Sequence, residues 1–308
     1  MSTNKANGRT AAQQARTPKT WFVTGAARGI GFEIARAALA AGDSVVATGR
    51  DRSRLEAAFA AWGERVLSLT LDVTDEAQAQ AATIAAVERF GRIDVLVNNA
   101  GYGQLGLFEE NEPGEIERQF ATNVFGTFHV TRAVLPVMRR QRSGRIFNLS
   151  SMGGVLGFMG ASVYCATKFA IEGFSESLAP EVEPFGIHVT LVEPGFFRTD
   201  FLDASSVRYG GRAIAAYAAL SAEAKSTYAG HNHRQAGDPA KLGAALVELA
   251  AAAEPPLRYA AGSDAVDAIL GSLAERQREI ERWRALSVGT DGAFAQPADG
   301  EPVTERVA

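Results

Sequence analysis

The sequence predicts an α/β fold: a single doubly wound parallel sheet with helices on both faces, followed by a helical C-terminal extension. Three observations carry this. Short apolar, β-branched runs alternate with helical stretches of about 10–15 residues, which demands crossover connections and a parallel sheet covered on both sides. A cluster of glycines between Gly25 and Gly31 falls at the first strand-to-helix junction. No Pro/Gly/Ser-rich linker divides the 308 residues, so the alternation belongs to one domain.

The elements follow in order. Trp21-Phe22-Val23-Thr24 is an apolar run closed by Gly25 and reads as a buried strand. Ile30 to Ala41 has helical spacing at Ile30, Ile34, Ala37, Ala38 and Ala41, with Gly42 as its stop. Ser44 to Thr48 is a second strand, Arg52 to Trp62 a helix, and Val66 to Leu71 a third strand. Asp75 to Phe90 is a helix with Thr74 as N-cap and Gly91 just past its end. Ile93 to Val97 is a fourth strand, and Pro113 to Arg140 a long helical region. Arg145 to Leu149 (strand), Tyr164 to Glu183 (helix) and Ile187 to Val192 (strand) continue the pattern, and Leu257 to Ala260 is a final strand. Ala274 to Arg284 is a charged, mostly solvated helix. The expected division is a disordered polar tail over 1–19, a catalytic domain over 20–262, and a helical extension with a flexible tail over 263–308.

Composition excludes several classes. The chain is 46% hydrophobic with 31 Lys+Arg against 35 Asp+Glu, so it is neither globally disordered nor a strongly basic nucleic-acid binder. No run of about 18 uncharged apolar residues is present, so no transmembrane helix is expected. Cys165 is the only cysteine; no intrachain disulfide can form, which fits a reducing, cytoplasmic setting.

The first junction reads Thr24-Gly25-Ala26-Ala27-Arg28-Gly29-Ile30-Gly31. Gly25 permits a tight turn, Gly29 lets backbone approach a pyrophosphate, and Gly31 lets helix and strand pack closely. The helix start offers N–H groups to phosphates. This is the place a Rossmann-type dinucleotide site requires. NAD-binding sheets usually carry an acid after the second strand; here that strand ends Thr48-Gly49-Arg50, and Arg28 lies in the loop. Two guanidinium groups suit a 2′-phosphate. Asp51 is read as the N-cap of the next helix. The expected cofactor is NADP(H) rather than NAD(H). No acid occurs before Glu33, so the loop is locally positive although the net charge is -4.

Tyr164 and Lys168 are four apart and share a helix face. An ammonium beside a phenol favours the phenolate and tunes it toward acid–base work; taken alone, such a pair also arises by chance. Leu149-Ser150-Ser151 and Asn98-Asn99-Ala100-Gly101 close neighbouring strands. Asn123 sits inside a helix, which Asn disfavours. Pro194-Gly195 follows another strand, with Thr199 soon after.

At this point the chain resembles the short-chain dehydrogenase/reductase family. TGAARGIG, Asp72-Val73, NNAG, Asn123, the Ser151, Tyr164 and Lys168 set and Pro194-Gly195 stand in family order. The resemblance implies that Tyr164 exchanges a proton with the substrate oxygen, that Ser151 rather than Ser150 hydrogen-bonds that oxygen, and that Lys168 holds the nicotinamide ribose. It also implies that Asn123 positions a relay water, that Asp72 and Val73 contact adenine, that Asn99, Ala100 and Gly101 line the cofactor, and that Thr199 bonds the carboxamide. The stretch YCATKFAIEGFSESLAPEVEPFGIHVTLVEPGFFRT is similar to hydroxysteroid and retinol dehydrogenase-like members, which act on bulky hydrophobic alcohols and ketones. Phe196, Phe197, Phe201, Tyr209 and Tyr217 fall in the family's substrate lid; they suit an apolar pocket and equally the packing of a helical lid. The family implies a homodimer or homotetramer.

The remaining candidates are set aside. Cys165 has no His partner at a readable spacing and reads as a helix-packing residue. His129 reads as packed, and His231-Asn232-His233 as a solvated loop offering too few ligands for a metal. Two rivals remain on the same fold. A non-catalytic NADP sensor usually lacks the Tyr/Lys pair, and a nucleotide-sugar epimerase or dehydratase tends to show G-x-x-G-x-x-G, which is absent here.

Overall fold

The computed structural model describes residues 17–203 and 206–292. The polar N-terminal segment (but for its last residues) and the end of the chain lie outside them. Seven parallel strands form one sheet in the order β3-β2-β1-β4-β6-β7-β9. These are β1 (Thr20–Thr24), β2 (Ser44–Gly49), β3 (Val66–Thr70), β4 (Val95–Asn98), β6 (Gly144–Leu149), β7 (Ile187–Pro194) and β9 (Arg258–Ala261). The chain winds outward from β1 to β3, then returns to lay β4 on the other side of β1. That reversal is where open α/β sheets leave a crevice beyond their carboxyl ends.

Alternation along the strands builds two cores. Trp21 and Val23, Val45 and Ala47, Val95 and Val97, and Phe147 and Leu149 face one side. There they meet α1 (Gly29–Ala40) through Ile34, Ala35 and Ala38, and α8 (Pro239–Ala251) through Leu242 and Leu246. Phe22, Val46, Leu96 and Ile146 face the other side. They pack on α3 (Glu76–Phe90), α5 (Gly126–Gln141) and α6 (Ser162–Val182). Strands covered on both faces read as continuous apolar runs, which is what made them visible in the sequence. Trp21 is fully buried and donates its indole N–H to Asp43 at 2.8 Å, so its polar atom is satisfied.

Several boundaries differ from the sequence reading, each for a local reason. Asp75, not Thr74, caps α3: its carboxylate accepts from the Gln78 N–H at 3.1 Å, while Thr74 hydrogen-bonds Asp72. Asp51 caps α2 (Arg52–Phe59), which passes into 3-10 turns over 60–65 instead of continuing as α-helix to Trp62. The long helical region is α4 (Pro113–Phe120), a wide π turn over Ala121–Phe125, then α5. Two three-residue strands, β5 (Gly103–Leu105) and β8 (Val207–Tyr209), pair in a small separate sheet. The chain closes with α7 (Ala218–His231), α8, β9 and the single helix α9 (Ser263–Val288).

Candidate active site

The carboxyl ends of β1, β2, β4, β6 and β7 open onto one cavity of about 1270 Å³. This exceeds the roughly 300–1,000 Å³ of an ordinary small-molecule pocket and suits a large cofactor together with a substrate. Its floor is the glycine turn. Gly25 and Gly29 have φ of 66° and 59°, a backbone region that L side chains rarely enter. Asn99 staples this turn to β4: its side-chain NH₂ donates to Thr24 O at 2.9 Å and Gly25 O at 3.2 Å, and its backbone N–H donates to Thr24 Oγ1 at 2.9 Å. The N–H of Ala100 also reaches Thr24 Oγ1, at 3.0 Å. Thr199 lies over Gly29, 3.7 Å from where a Cβ would stand.

Along the rim lie Arg28, Arg50, Asp72 and Val73. The Asp51 carboxylate accepts from Ser53 Oγ at 2.6 Å and from the Arg54 N–H at 3.3 Å. The Ser53 hydroxyl and that N–H hold its carboxyl below the usual carboxylate range.

Farther in lie Ser151, Tyr164 and Lys168. Ser151 heads a short 3-10 turn after β6, and its Oγ accepts from Gly153 N at 3.0 Å. Tyr164 and Lys168 share a face of α6, with the Lys168 Nζ 5.7 Å from the Tyr164 ring centre. Lys168 donates to Leu149 O at 2.7 Å. Burial pushes the Tyr164 phenol up to about 12, opposed by its hydrogen bond with Ser151, and pulls Lys168 down to about 8. The Tyr/Lys spacing predicts an ammonium-favoured phenolate; in the folded protein desolvation of the phenol dominates and the shift is upward instead.

Asn123 does not line the cavity. It is buried in the π turn, where its side chain accepts from Tyr102 N at 3.2 Å and donates to Tyr102 O at 3.1 Å and Thr167 Oγ1 at 3.2 Å. Gly31 is likewise one layer back, packed against Asn99. The other proposed residues, including Ile30, Gly101, Pro194 and Gly195, line the cavity. Of the lid aromatics, Phe196, Phe197, Phe201 and Tyr209 line it, and Phe201 packs on Tyr164 at 5.8 Å between ring centres. Tyr217 is absent from the lining and meets Glu109 instead. Sequence reasoning missed Tyr102, Arg118, Phe158, Arg208 and Tyr228, which also line the cavity. Tyr102 and Phe158 come from loops, Arg208 from the three-residue β8, and Arg118 and Tyr228 from helices whose cavity-facing side no local pattern marks.

Ser150 also borders the cavity but is buried, beside Glu172. Cys165 is buried and its thiol is pushed up by desolvation, as suits a packing residue. His129 is half-buried and hydrogen-bonds Val73 O at 3.1 Å. Beside the lid, Asp200, Asp203 and His233 bring ligand atoms within 4.8 Å of one another, a proximity the sequence did not reveal.

A family model described as short chain dehydrogenase matches residues 19–209. The chain belongs to the short-chain dehydrogenase family. It is an oxidoreductase built on a nucleotide-binding fold. This dehydrogenase is 40% identical over 274 residues to the oxidoreductase BOA17 of Botryotinia fuckeliana, covering 88% of this chain and 99% of that one. It is 37% identical over 253 residues to a 3-ketodihydrosphingosine reductase of Bacteroides thetaiotaomicron, covering 80% of this chain and 88% of the relative. Human retinol dehydrogenase 8 is 42% identical over 198 residues, 61% of each chain. Among solved structures, a short-chain dehydrogenase from Streptomyces avermitilis superposes with a TM-score of 0.83 at 43% identity, over 90% of this chain and 100% of that one. A Burkholderia phymatum enzyme in complex with NAD gives 0.75 at 25% identity, over 93% and 98% of the two chains. ElxO with NADP bound gives 0.64 at 28% identity, over 76% and 92%.

Proposed function

We propose that this dehydrogenase is an NADP(H)-dependent oxidoreductase acting on a secondary alcohol or ketone that is bulky and hydrophobic. The observation that carries the reading is one continuous cavity with the glycine turn and Arg50 at one end and Ser151, Tyr164 and aromatic lid residues at the other. The residues fit a dinucleotide. Gly25, Gly29 and the first turn of α1 would hold its pyrophosphate, Asp72 and Val73 its adenine, Lys168 its nicotinamide ribose and Thr199 its carboxamide. Arg28 and Arg50 would take a 2′-phosphate, since Asp51 is engaged in capping α2 and no other acid follows β2 there.

A bound nicotinamide supplies the hydride chemistry. The chain supplies the proton and the orientation. Tyr164 holds a proton at its hydroxyl and passes it to the ketone oxygen, or takes it back from the alcohol. Ser151 fixes that oxygen by a hydrogen bond, and Lys168 is anchored on Leu149 O beneath the ring. Asn123, its amide pinned to Tyr102 and Thr167 behind the cavity wall, would support the proton relay only through those neighbours. Phe196, Phe197 and Phe201 exclude bulk water and favour an apolar substrate, consistent with relatives named for retinol and for 3-ketodihydrosphingosine. Ser151, Tyr164 and Lys168 grouped at one cavity favour an enzyme over a cofactor sensor.

NADPH should bind at least tenfold more tightly than NADH, and Arg50→Ala should remove most of that preference, since a charge-assisted bidentate contact contributes roughly 1.5–3 kcal/mol. Fluorescence titration with both cofactors measures this; equal dissociation constants, or an Arg50→Ala variant that binds NADPH unchanged, reject the NADP assignment. A ketone panel followed by NADPH absorbance separates enzyme from sensor. The family also leads us to a homodimer or homotetramer in the cytoplasm; a gel-filtration mass near the 32.6 kDa of one chain contradicts the assembly.

A further inference from the structure

Behind Lys168 lies a cluster of buried charge with no part in the mechanism above. Glu172 sits one helical turn after Lys168 on α6, and Glu193 stands near the end of β7. Their side chains are only 10% and 3% exposed. Ser150 Oγ and Glu172 Oε1 converge over Gly154: a Cβ on that glycine would lie 2.5 Å from the hydroxyl and 3.1 Å from the carboxylate oxygen. The Ser150 hydroxyl, both Glu172 oxygens and Glu193 Oε1 are buried without a normal hydrogen-bond partner. Arg258 on β9 approaches both carboxylates, 3.6 Å from Glu172 and 3.8 Å from Glu193. It is 42% exposed, and its shortest contact, 2.7 Å, goes to Glu176 at the surface. Asp264 on α9 is turned to the Phe196 N–H at 2.7 Å.

Two buried carboxylates this close cannot both stay ionised on half of one solvated arginine. A single proton between them leaves one negative charge one helical turn from Lys168, which needs it, because the ammonium has only the Leu149 carbonyl as a hydrogen-bonded partner among the described contacts. We propose that Glu172 is a positioning residue that keeps Lys168 protonated in its buried site, and that Glu172 and Glu193 share one proton while it does so. The directions agree: burial pushes Glu193 up to about 7, with Glu172 beside it adding to the rise. Burial likewise raises Glu172, partly offset by the Ser150 hydroxyl and Arg258. Glu172 opposes the fall of Lys168.

This role rests on the reductase reading only for its kinetic consequence; the protonation states can be read without turnover. In protein carrying ¹³C at lysine Cε and glutamate Cδ, NMR titration should place Lys168 at about 8 in the wild type. The Lys168 midpoint should fall by about one pH unit in Glu172→Gln, recover in part in Glu172→Asp, and rise in Glu193→Gln, where Glu172 ionises fully. The two glutamates should titrate as a pair, well above an ordinary carboxyl. In NADPH-dependent ketone reduction, Glu172→Gln should move the alkaline limb of kcat/KM down by the same amount. That means about fivefold lower kcat/KM near pH 8 and no change near pH 6, where Lys168 is protonated regardless. A Lys168 midpoint unmoved by Glu172→Gln, or glutamates that titrate independently at ordinary values, overturns the proposal. So does a loss of kcat/KM equal at every pH, the mark of a merely structural role. If no ketone is reduced by the wild type, the function reading fails while the NMR titrations still decide this one.

Discussion

Tyr164→Phe is expected to lower turnover by about 10²–10⁴-fold while leaving NADPH affinity unchanged. The magnitude is that of a lost general acid–base group. The substitution removes one hydroxyl and little else. The ring keeps its contact with Phe201 and its place in the small apolar cluster with Cys165, Ala161 and Leu105. The deleted atom is the partner of Ser151, so the variant leaves a hydroxyl that can still bond the substrate oxygen but has no proton relay behind it. Steady-state reduction of a ketone measures the loss, and fluorescence titration with NADPH checks that binding survives. Retention of more than about a tenth of the turnover would remove Tyr164 from its role. The raised Tyr164 value of about 12 adds a sign. Well below it the hydroxyl holds its proton, ready to give to a ketone, so reduction is supported at neutral pH. Oxidation needs the phenolate and should therefore climb as pH rises through the neutral and mildly alkaline range.

Much of this arrangement was legible because it is local or periodic. Strands buried on both faces print as unbroken apolar runs, and a turn needing positive φ prints as glycine, as at Gly25 and Gly29. Asn123 was visible because an amide inside a helix is out of place; the reason is a π turn in which the amide pins Tyr102 to Thr167. Other features had no local signature. β5 and β8 are three residues each, too short to show a period of two, and they pair across about a hundred residues of sequence. Between Thr74 and Asp75, adjacent and both good caps, only the fold decides which side chain reaches the free N–H. Tyr164 shows the deeper limit. Spacing revealed the lysine beside it but not how far both would be desolvated, and desolvation decides the sign of the shift. Glu172 and Glu193 look like ordinary surface acids in the sequence; only the packing of α6 on β7 brings them together in the interior.

Gly31→Ala should sharply impair both stability and cofactor binding, although Gly31 touches no part of the cavity. A Cβ there would overlap the Asn99 side-chain nitrogen and stand 2.6 Å from Gly25 O. Those two atoms are partners in the contact that ties the glycine turn to β4. Neither can yield cheaply: Asn99 is also bonded to Thr24 O, and Gly25 is held in its turn at positive φ. Overpacking of this kind costs about 1–3 kcal/mol, and the displaced turn should weaken NADPH binding by tenfold or more. Gly173→Ala makes the same chemical change on the exposed face of α6, where a Cβ would meet nothing within 4 Å. It should instead stabilise the protein by about 0.5–1 kcal/mol through helix propensity alone. Thermal unfolding of the two variants, with and without NADPH, measures both effects. Opposite signs of the melting shift, with ligand-induced stabilisation lost only in Gly31→Ala, are the expected result. If Gly31→Ala binds NADPH like the wild type, the turn from Gly25 to Gly31 is not the cradle of the cofactor, and the assignment of the cavity's floor fails with it.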